Sequence, residues 1–319
     1  MSALYDAPGP RAKRVTLISS IVVAALLMAG AYYLVYRPLD ARGEFTMEKW
    51  GPLFDPSNEY FSQVWKRIGE GFRATLIAAV LAVVGSVLFG TLLAIARIQL
   101  KAVSKRRFTG FAKPLAIGLR VLTVALDWLS RIVVEVFRGL PVVITIVFVW
   151  LGLPSVGVEL GDLLWYLVIG LILYNTVVIA EILRSGMEGL PGGQREAAEA
   201  IGLSTFDTTI QILLPQAFRI MLPALISQLV VVLKDTSLGF IIGYEEILRV
   251  TSQIVQFLNN QIQMYVVVGV IYILVNYGLS KLAGYVQRRL ARGRKTRALP
   301  TDVAQEAGLT EASQVGVSR

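Results

Sequence analysis

Long apolar blocks separated by short polar stretches dominate the chain, and this pattern predicts helices that cross a membrane. A bilayer core of about 30 Å needs about 20 apolar residues in a helix, because each residue rises by about 1.5 Å. Six segments meet or approach this length. They cover residues 15–36, 74–96, 139–158, 163–180, 216–233 and 262–282. The predicted fold class is an all-α polytopic membrane protein with about six transmembrane helices.

A seventh apolar segment, residues 113–137, differs because charges interrupt it at regular intervals. Asp127, Arg131 and Glu135 recur every fourth residue, so they share one helix face and can form i,i+4 ion pairs. A charge at the centre of a spanning helix costs about 2.5–3.5 kcal/mol on insertion scales. We interpret this segment as an amphipathic helix at the cytoplasmic interface. The alternative, a true span whose charged stripe faces the bundle interior, stays open.

Basic residues beside the apolar blocks predict the orientation of the chain. Lys and Arg precede the first block, and residues 97–120 contain seven of them with no Asp or Glu. With six spans, both termini are then cytoplasmic. The first block lacks a small-residue cleavage site directly after it, so we expect a retained helix. The predicted organisation is a cytoplasmic segment 1–14, an N-terminal transmembrane helix 15–36, an extracytoplasmic loop 37–71, a core domain 72–287 and a basic cytoplasmic tail 288–319, expected to be disordered.

Composition narrows the chemistry that this chain can perform. Its 319 residues are 55% hydrophobic and include no Cys and no His, which excludes thiol nucleophiles, disulfides and His-ligated metals. No GxxxxGK[ST] motif occurs, so a nucleotide-driven motor would have to be a separate subunit. The net charge of +9 would suit a nucleic-acid partner, but membrane orientation already explains the basic residues. We therefore expect no catalytic residue, no metal, no cofactor in this chain and no nucleic-acid partner.

The stretch "GGQREAAEAIGLSTFDTTIQILLP", residues 192–215, is polar and lies between two apolar blocks. Connections between packed helices usually have about 2–8 residues, so a longer one is either functional or disordered. Strong helix formers precede Gly202, which suits the position just after a helix end. Ser204 with Asp207 three residues later predicts the start of a second helix, and Pro215 can break or kink the chain beyond it. We predict two short helices hinged at Gly202.

The first predicted helix is thin and carries charges. Its alanines would let it enter a groove on another protein closely, and its charged residues would fix its position there. The residues that carry this prediction are Arg195, Glu196, Ala197, Ala198, Glu199, Ala200 and Gly202.

These residues also carry a resemblance to a known family. "EAA" at 196–198, Gly202 and "LLP" ending at Pro215 resemble the coupling loop of binding-protein-dependent ABC importer permeases. Four stretches resemble the polar amino acid uptake subfamily in the same order. They are "FRGLPVVITIVFVWLGLP" (137–154), "AEILRSGMEGLPGGQREAAEAIGLS" (180–204), "LPQAFRIMLPAL" (214–225) and "KDTSLGFIIGYEEI" (234–247). The similarity covers about residues 65–287, and the extensions outside it are similar to those of glutamate-type permeases of Gram-positive actinobacteria.

The resemblance implies a type I ABC importer permease fold, with a five-helix core, one additional N-terminal helix and cytoplasmic coupling helices. It implies a transport subunit and not an enzyme, which imports a polar amino acid, most simply glutamate or a relative. Expected partners are an ATPase subunit that binds ATP and Mg, a second permease (identical or related), an extracytoplasmic solute-binding protein and membrane lipids. Within a coupling loop at 186–215, the residues expected to engage the ATPase are Arg195, Glu196, Ala197, Ala198, Glu199, Gly202 and Asp207.

Several polar residues near the apolar blocks are candidates for the substrate path. They are Arg138, Asn175, Gln228, Lys234, Asp235 and Ser237. A zwitterionic amino acid needs both charge signs in its path, which adjacent Lys234 and Asp235 could supply. Asn175 and Gln228 either face that path or hydrogen-bond between helices. Glu181 and Arg184, spaced i,i+3 at a helix end, are predicted to form a structural pair that orients the coupling loop.

Two other classes of protein compete with this interpretation. A secondary transporter would need no ATPase, but it predicts inverted repeats and carboxylates within the spans, and neither is visible. An intramembrane enzyme without His or Cys would need a Ser/Lys or paired-Asp site, which the uncharged blocks do not provide.

Overall fold

The computed structural model describes residues 9–105 and 112–292, which fold into helices joined by turns. The α-helices are α1 (Pro10–Gly30), α2 (Arg37–Ala41), α3 (Met47–Phe54), α4 (Phe61–Ser104), α5 (Lys113–Gly139), α6 (Val142–Ser155), α7 (Leu163–Glu188), α8 (Gly193–Ala200), α9 (Thr205–Asp207), α10 (Leu214–Asp235), α11 (Gly239–Ile242), α12 (Ile247–Leu258) and α13 (Gln261–Arg292). Two π-helices, Ala31–Tyr36 and Thr208–Leu213, and one 3₁₀ helix, Thr236–Leu238, interrupt them. No strand occurs in the described ranges, which confirms the predicted all-α class.

Five helical runs in the described chain are long and apolar enough to cross a membrane. They are Pro10–Ala41, Phe61–Ser104, Leu163–Glu188, Thr205–Ile242 and Gln261–Arg289. The bent pair α5 and α6, which meet at 106°, gives a sixth candidate. The predicted number of spans is therefore confirmed, with the third span the least regular.

The third predicted span, residues 139–158, does not form one straight helix. The helix breaks after Gly139 and α6 begins at Val142, because Pro141 has no N–H to donate and disfavours helical backbone in the residue before it. At about 1.5 Å per residue, the 14 residues of α6 extend over only about 21 Å. The span that the sequence predicts here thus consists of a short helix joined to α5 by a sharp bend.

Contacts within the chain divide it into two units. In the first unit, which comprises residues 9–71 and 250–270 of the described chain, the first helical run Pro10–Ala41 is apolar and its α1 part has no buried residue. The predicted extracytoplasmic loop 37–71 is largely helical, since it contains α2, α3 and the start of α4. Residues 61–73, a mixture of polar and apolar side chains, extend α4 ahead of its apolar block.

Hydrogen bonds hold the segment around α3 within this first unit. The Trp50 indole N–H donates to the Glu44 carbonyl at 2.9 Å, and Asn260 Nδ2 donates to the Lys49 carbonyl at 3.3 Å. Gln263 Nε2 lies 3.2 Å from the Glu44 carboxylate. The hydrogen bond from the Lys49 ammonium, followed by that from Gln263, lowers the pKa of Glu44 below its usual value. Residues 44–50 therefore have fixed partners instead of forming an open loop.

In the second unit, residues 72–105, 112–249 and 271–292 of the described chain, α7 is the central helix and packs against α6 and α10. Two glycines allow the close approach. A Cβ on Gly170 would lie 2.8 Å from the Ile146 Cα of α6, and one on Gly186 would lie 2.5 Å from the Met221 Cγ of α10. The first contact is with backbone, which cannot move aside as a side chain can. Small residues thus set the spacing of the helices around α7.

Two predicted boundaries move in the structure. The sequence predicts that the tail begins at residue 288, but α13 continues to Arg292, and residues 293–319 lie outside the described residues. At the other end, α1 begins at Pro10 within the predicted cytoplasmic segment 1–14, and residues 1–8 lie outside the described residues. Part of the basic stretch, residues 106–111, is also outside them.

Candidate functional site

The predicted coupling loop, residues 186–215, contains one short helix that ends in a defined turn. Helix α8 stops at Ala200, and Gly202 has a φ of +80°, the left-handed conformation that glycine adopts without steric cost. The Gly202 N–H donates to the Glu199 carbonyl at 3.0 Å, and the Leu203 N–H donates to the Ala198 carbonyl at 3.0 Å. These two bonds form a Schellman motif. The predicted role of Gly202 at the helix end is confirmed.

The residues after this turn begin a helix, as predicted, but that helix is not short. The Asp207 N–H donates to Ser204 Oγ at 3.1 Å, which caps the new helix. Helical structure then continues from Thr205 to Ile242 through the π-helix Thr208–Leu213. The prediction of two short helices is therefore wrong for the second one. Pro215 does not break it, because a proline in the first turn of α10, next to a π-helix, removes little hydrogen bonding.

Most of the residues predicted to engage another protein are on the surface of α8. Those exposed are Arg195, Glu196, Ala197, Glu199 and Gly202, while Asp207 is partly exposed. Ala198 is the exception, with 1% of its surface accessible, because α8 packs against the π-helix Thr208–Leu213. Ala198 thus faces the rest of this chain, whereas its predicted engagement with the ATPase stays a prediction. Its small size instead allows α8 to lie close to the next helix.

Two apolar residues on either side of the Gly202 turn escaped the sequence analysis. Ile201 is 75% exposed and Phe206 is 52% exposed. Each interrupts a stretch of polar and small residues, and this contrast is the feature of the sequence that points to them. An exposed apolar side chain at a turn gains nothing from the folding of this chain alone. Together with the charges of α8, they give the coupling loop an apolar tip with a charged border.

The predicted pair Glu181 and Arg184 forms near the C-terminal end of α7. Arg184 Nε lies 3.1 Å from Glu181 Oε2, and the Arg184 Nη2 group contacts Glu181 Oε1 as well. This pair also has partners on α4, which the sequence does not predict. Arg97 Nη1 lies 2.6 Å from Glu181 Oε2, and Lys101 Nζ lies 2.7 Å from Glu188 Oε1. From the sequence alone, Arg97 and Lys101 contribute only to the predicted orientation of the chain in the membrane.

The candidate path residues Asn175 and Gln228 contact each other. Gln228 Nε2 on α10 donates to Asn175 Oδ1 on α7 at 2.8 Å, and Asn175 Nδ2 donates to the Leu171 carbonyl at 2.9 Å. The Asn175 side chain is fully buried. Of the two roles left open by the sequence, the hydrogen bond between helices is therefore present in the structure.

Lys234, Asp235 and Ser237 lie where α10 changes into a 3₁₀ helix. Lys234 is exposed and Asp235 is partly buried, and no ion pair is formed by either side chain among the described residues. Ser237 Oγ donates to the Lys234 carbonyl at 2.7 Å. The 3₁₀ helix Thr236–Leu238 and α11 follow, and the chain leaves α11 at Gly243, which has a φ of +85°. Arg138 is not joined to this group, because its ion-pair contact, at 4.0 Å, is with Glu135.

Glu246 is a fully buried carboxylate just before α12. Its oxygens accept hydrogen bonds from the Leu248 N–H at 2.9 Å and the Arg249 N–H at 2.7 Å, and the Tyr272 hydroxyl lies 3.5 Å away. Burial raises the pKa of Glu246 to about 7, against the lowering effect of these hydrogen bonds. The carboxylate caps α12, and its charge is sensitive to pH near neutrality.

The described residues hold no cluster of three or more Asp or Glu arranged to bind a metal ion, and the chain has no His or Cys.

Comparison with solved structures shows the fold. An amino acid ABC transporter crystallised with histidines is 24% identical, with a TM-score of 0.56 over 73% of this chain and 99% of that chain. The MetNI methionine ABC transporter in an inward-facing conformation is 18% identical, with a TM-score of 0.52 over 73% and 99%. The fold is that of the type I ABC importer permeases.

The family follows from the sequence. Residues 110–292 match the family model "Binding-protein-dependent transport system inner membrane component", and the chain belongs to this family of multi-pass membrane permeases. The glutamate transport system permease GluD of Corynebacterium glutamicum is 36% identical over 271 residues, which are 84% of this chain and 89% of that protein. The probable glutamine ABC transporter permease GlnP of Bacillus subtilis is 30% identical over 240 residues, which are 73% and 96%.

Proposed function

We propose that this chain is the permease subunit of an ATP-driven importer for glutamate or a closely related amino acid, and that its coupling loop docks into a separate ATPase subunit. The observation that carries the coupling part is the turn at Gly202, which presents the exposed apolar side chains of Ile201 and Phe206 within a charged border. Apolar anchors surrounded by polar residues are typical of protein interfaces.

The substrate assignment rests on relatedness to GluD, at 36% identity over most of both chains. A second permease, identical or related, completes the path, and an extracytoplasmic solute-binding protein delivers the amino acid. ATP and Mg bind to the ATPase subunit. ATP binding shifts the assembly toward the outward-open state, because ATP has higher affinity for the closed ATPase dimer.

The proposed orientation places both termini in the cytoplasm. Basic residues stand at the start of the first helix, and an aromatic group stands at its other end, where Tyr36 stacks on Tyr32 at 5.6 Å and on Phe45 at 5.3 Å. Basic residues favour the cytoplasmic side, and tyrosines favour the membrane interface. In this orientation residues 72–287 form the permease core, the coupling loop is cytoplasmic and the tail from residue 288 is cytoplasmic.

We place α5 at the cytoplasmic interface, where it contacts lipid. Its buried residues are Asp127 and Val134, and the predicted ion pair from Arg131 to Asp127 is present at 2.7 Å. The opposite surface of α5 is broadly apolar and exposed, including Trp128. The 106° bend to α6 supports this placement, because a helix in the membrane plane lies nearly perpendicular to a span.

In the proposed function, the substrate path runs beside the second-unit helices and includes Asn175, Gln228, Lys234, Asp235 and Ser237, with Arg138 at its cytoplasmic side. Lys234 and Asp235 offer both charge signs without an ion pair of their own among the described residues. That arrangement suits the ammonium and carboxylate groups of an amino acid.

Reconstitution into vesicles tests the proposal. The complete transporter should accumulate glutamate only with ATP and the solute-binding protein, and an excess of unlabelled glutamate should compete better than arginine. The permease alone should accumulate nothing. Accumulation by the permease alone, without ATP, would contradict the proposal and favour a secondary transporter.

A charge reversal tests the coupling loop separately. Glu196→Lys on the exposed face of α8 should leave the permease in the membrane but weaken its binding to the ATPase and abolish uptake. The matched control is Glu159→Lys, an exposed glutamate outside the coupling loop, which should transport normally. Normal uptake by the Glu196 variant at normal expression would show that this loop is not the docking site.

A further inference from the structure

Five charged side chains form one network between α4 and the end of α7. They are Arg97 and Lys101 on α4, and Glu181, Arg184 and Glu188 on α7. The two bases of α4 are four residues apart, so they lie on one face of that helix. The three residues of α7 are three, four and seven residues apart, so they also share one face. The signs alternate along the network, so that every acid contacts at least two bases.

The contacts within this network are short. Arg97 Nη1 lies 2.6 Å from Glu181 Oε2, Lys101 Nζ lies 2.7 Å from Glu188 Oε1, and Arg184 Nη1 lies 2.5 Å from Glu188 Oε2. Arg184 therefore joins the two acids that hold the two bases of α4. The pair of Arg97 and Glu181 is the more buried one, with side-chain exposures of 11% and 21%, while Lys101 is 38% exposed. Exposed ion pairs contribute little, so we expect the buried pair to dominate.

The opposite face of α4 is bound to the residues that follow the coupling loop turn. Gln99 Nε2 donates to Thr209 Oγ1 at 2.9 Å and approaches the Thr205 carbonyl at 3.4 Å. Thr209 is fully buried. The end of α4 thus has polar contacts both with the helix that enters the coupling loop and with the helix that leaves it.

From this geometry we propose that the five-charge network is a positioning element that makes α4 move together with the coupling loop. The inference rests on the proposed function, since it assumes that an ATPase displaces this loop. Charged side chains at a cytoplasmic helix end could all be solvated by water, so their pairing across two helices is not needed merely to satisfy them. Because α4 is one uninterrupted helix of 44 residues, a displacement of its cytoplasmic end is carried along its length.

A coupling measurement in vesicles tests this role. The complete transporter is reconstituted, and both the uptake of amino acid and the hydrolysis of ATP are measured, each with and without the solute-binding protein. Arg97→Glu should retain ATPase binding and basal hydrolysis, but the amount of amino acid imported per ATP should fall at least fivefold. Arg97→Lys, which keeps the positive charge opposite Glu181, should retain most of that ratio.

Three further variants keep the test decisive. Arg97→Gln removes the charge without reversing it, so it remains informative if Arg97→Glu fails to fold. It should lower the import per ATP less than Arg97→Glu does. Lys101→Glu, in the exposed part of the network, should lower the ratio less than Arg97→Glu does. Glu70→Arg, an exposed position of α4 outside the network, is the matched control and should leave the ratio unchanged.

The outcomes separate this inference from the proposed function. Unchanged import per ATP in both Arg97→Glu and Arg97→Gln, with ATP-dependent uptake by the wild type, would overturn the positioning role alone. An equally large fall in Arg97→Lys, which keeps the charge, would also overturn it. Uptake by the wild type without ATP would instead overturn the proposed function.

Discussion

The turn at Gly202 allows a quantitative prediction, because within this chain its substitution acts mainly on the backbone conformation. Gly202 has a φ of +80°, and a Cβ added to it would have no heavy atom of this chain within 4 Å. The cost is then the left-handed conformation itself, about 1–2 kcal/mol for an L-residue. This corresponds to a factor of roughly 5–30 in the population of the turn.

The fraction of loops in which the turn is formed affects the affinity of the permease for the ATPase. If the ATPase binds only the conformation with the turn formed, the apparent Kd is inversely proportional to the fraction of loops in that conformation, so it rises by at most the same factor. Gly202→Val should therefore weaken ATPase binding by up to roughly 5–30-fold. Gly202→Asn should have a smaller effect, because asparagine tolerates this conformation better than a β-branched residue does.

The assay is the affinity of purified permease for its ATPase in detergent, together with ATP-driven uptake in vesicles. Gly193→Ala is the matched control: it lies within α8, it also has no neighbour within 4 Å, and its backbone is helical. This variant should bind normally, because alanine favours a helix over glycine. Equal affinity of Gly202→Val and wild type, at equal expression, would refute the link between the turn and docking.

Three other substitutions give distinct outcomes. Gly170→Ala places a methyl 2.8 Å from the Ile146 Cα and should lower the free energy of unfolding by about 1–3 kcal/mol, measured by thermal unfolding in detergent, whereas Gly269→Ala, with open space around it, should not. Burial raises the pKa of Glu246 in the folded protein from about 4.5 to about 7. The wild type should therefore lose stability as the pH rises from about 4.5 to about 7. Glu246→Gln cannot ionise, so its stability relative to wild type should increase over that interval. Ile201→Asp should weaken ATPase binding at an unchanged unfolding midpoint, and a lowered midpoint with intact binding would contradict its docking role.

The features that the sequence predicts correctly depend on residues that are close together in the chain. The membrane spans follow from uninterrupted apolar length, and the Asp127–Arg131 pair follows from i,i+4 spacing within one helix. The turn at Gly202 and the cap at Ser204 also depend on only a few neighbouring residues. Each of these predictions was confirmed because the residues that determine the feature are adjacent in the chain.

Features that depend on distant residues were not predicted. Arg97 and Glu181 are 84 positions apart, so no local spacing shows that they meet. The inward position of Ala198 depends on the packing of α8 against a later helix, which a helix-surface argument cannot include. The continuation of helix beyond Asp207 was missed for another reason, since the π-helix that leads toward Pro215 has no simple residue pattern.

The π-helix Thr208–Leu213 lies directly between the capped turn and α10. In this form each N–H bonds five residues back instead of four, so the stretch holds one residue more than an α-helical turn would. If it relaxed to α-helical bonding, every downstream side chain would rotate by about 100°, the angle per residue of an α-helix. Such a change would turn Gln228 of α10 away from Asn175.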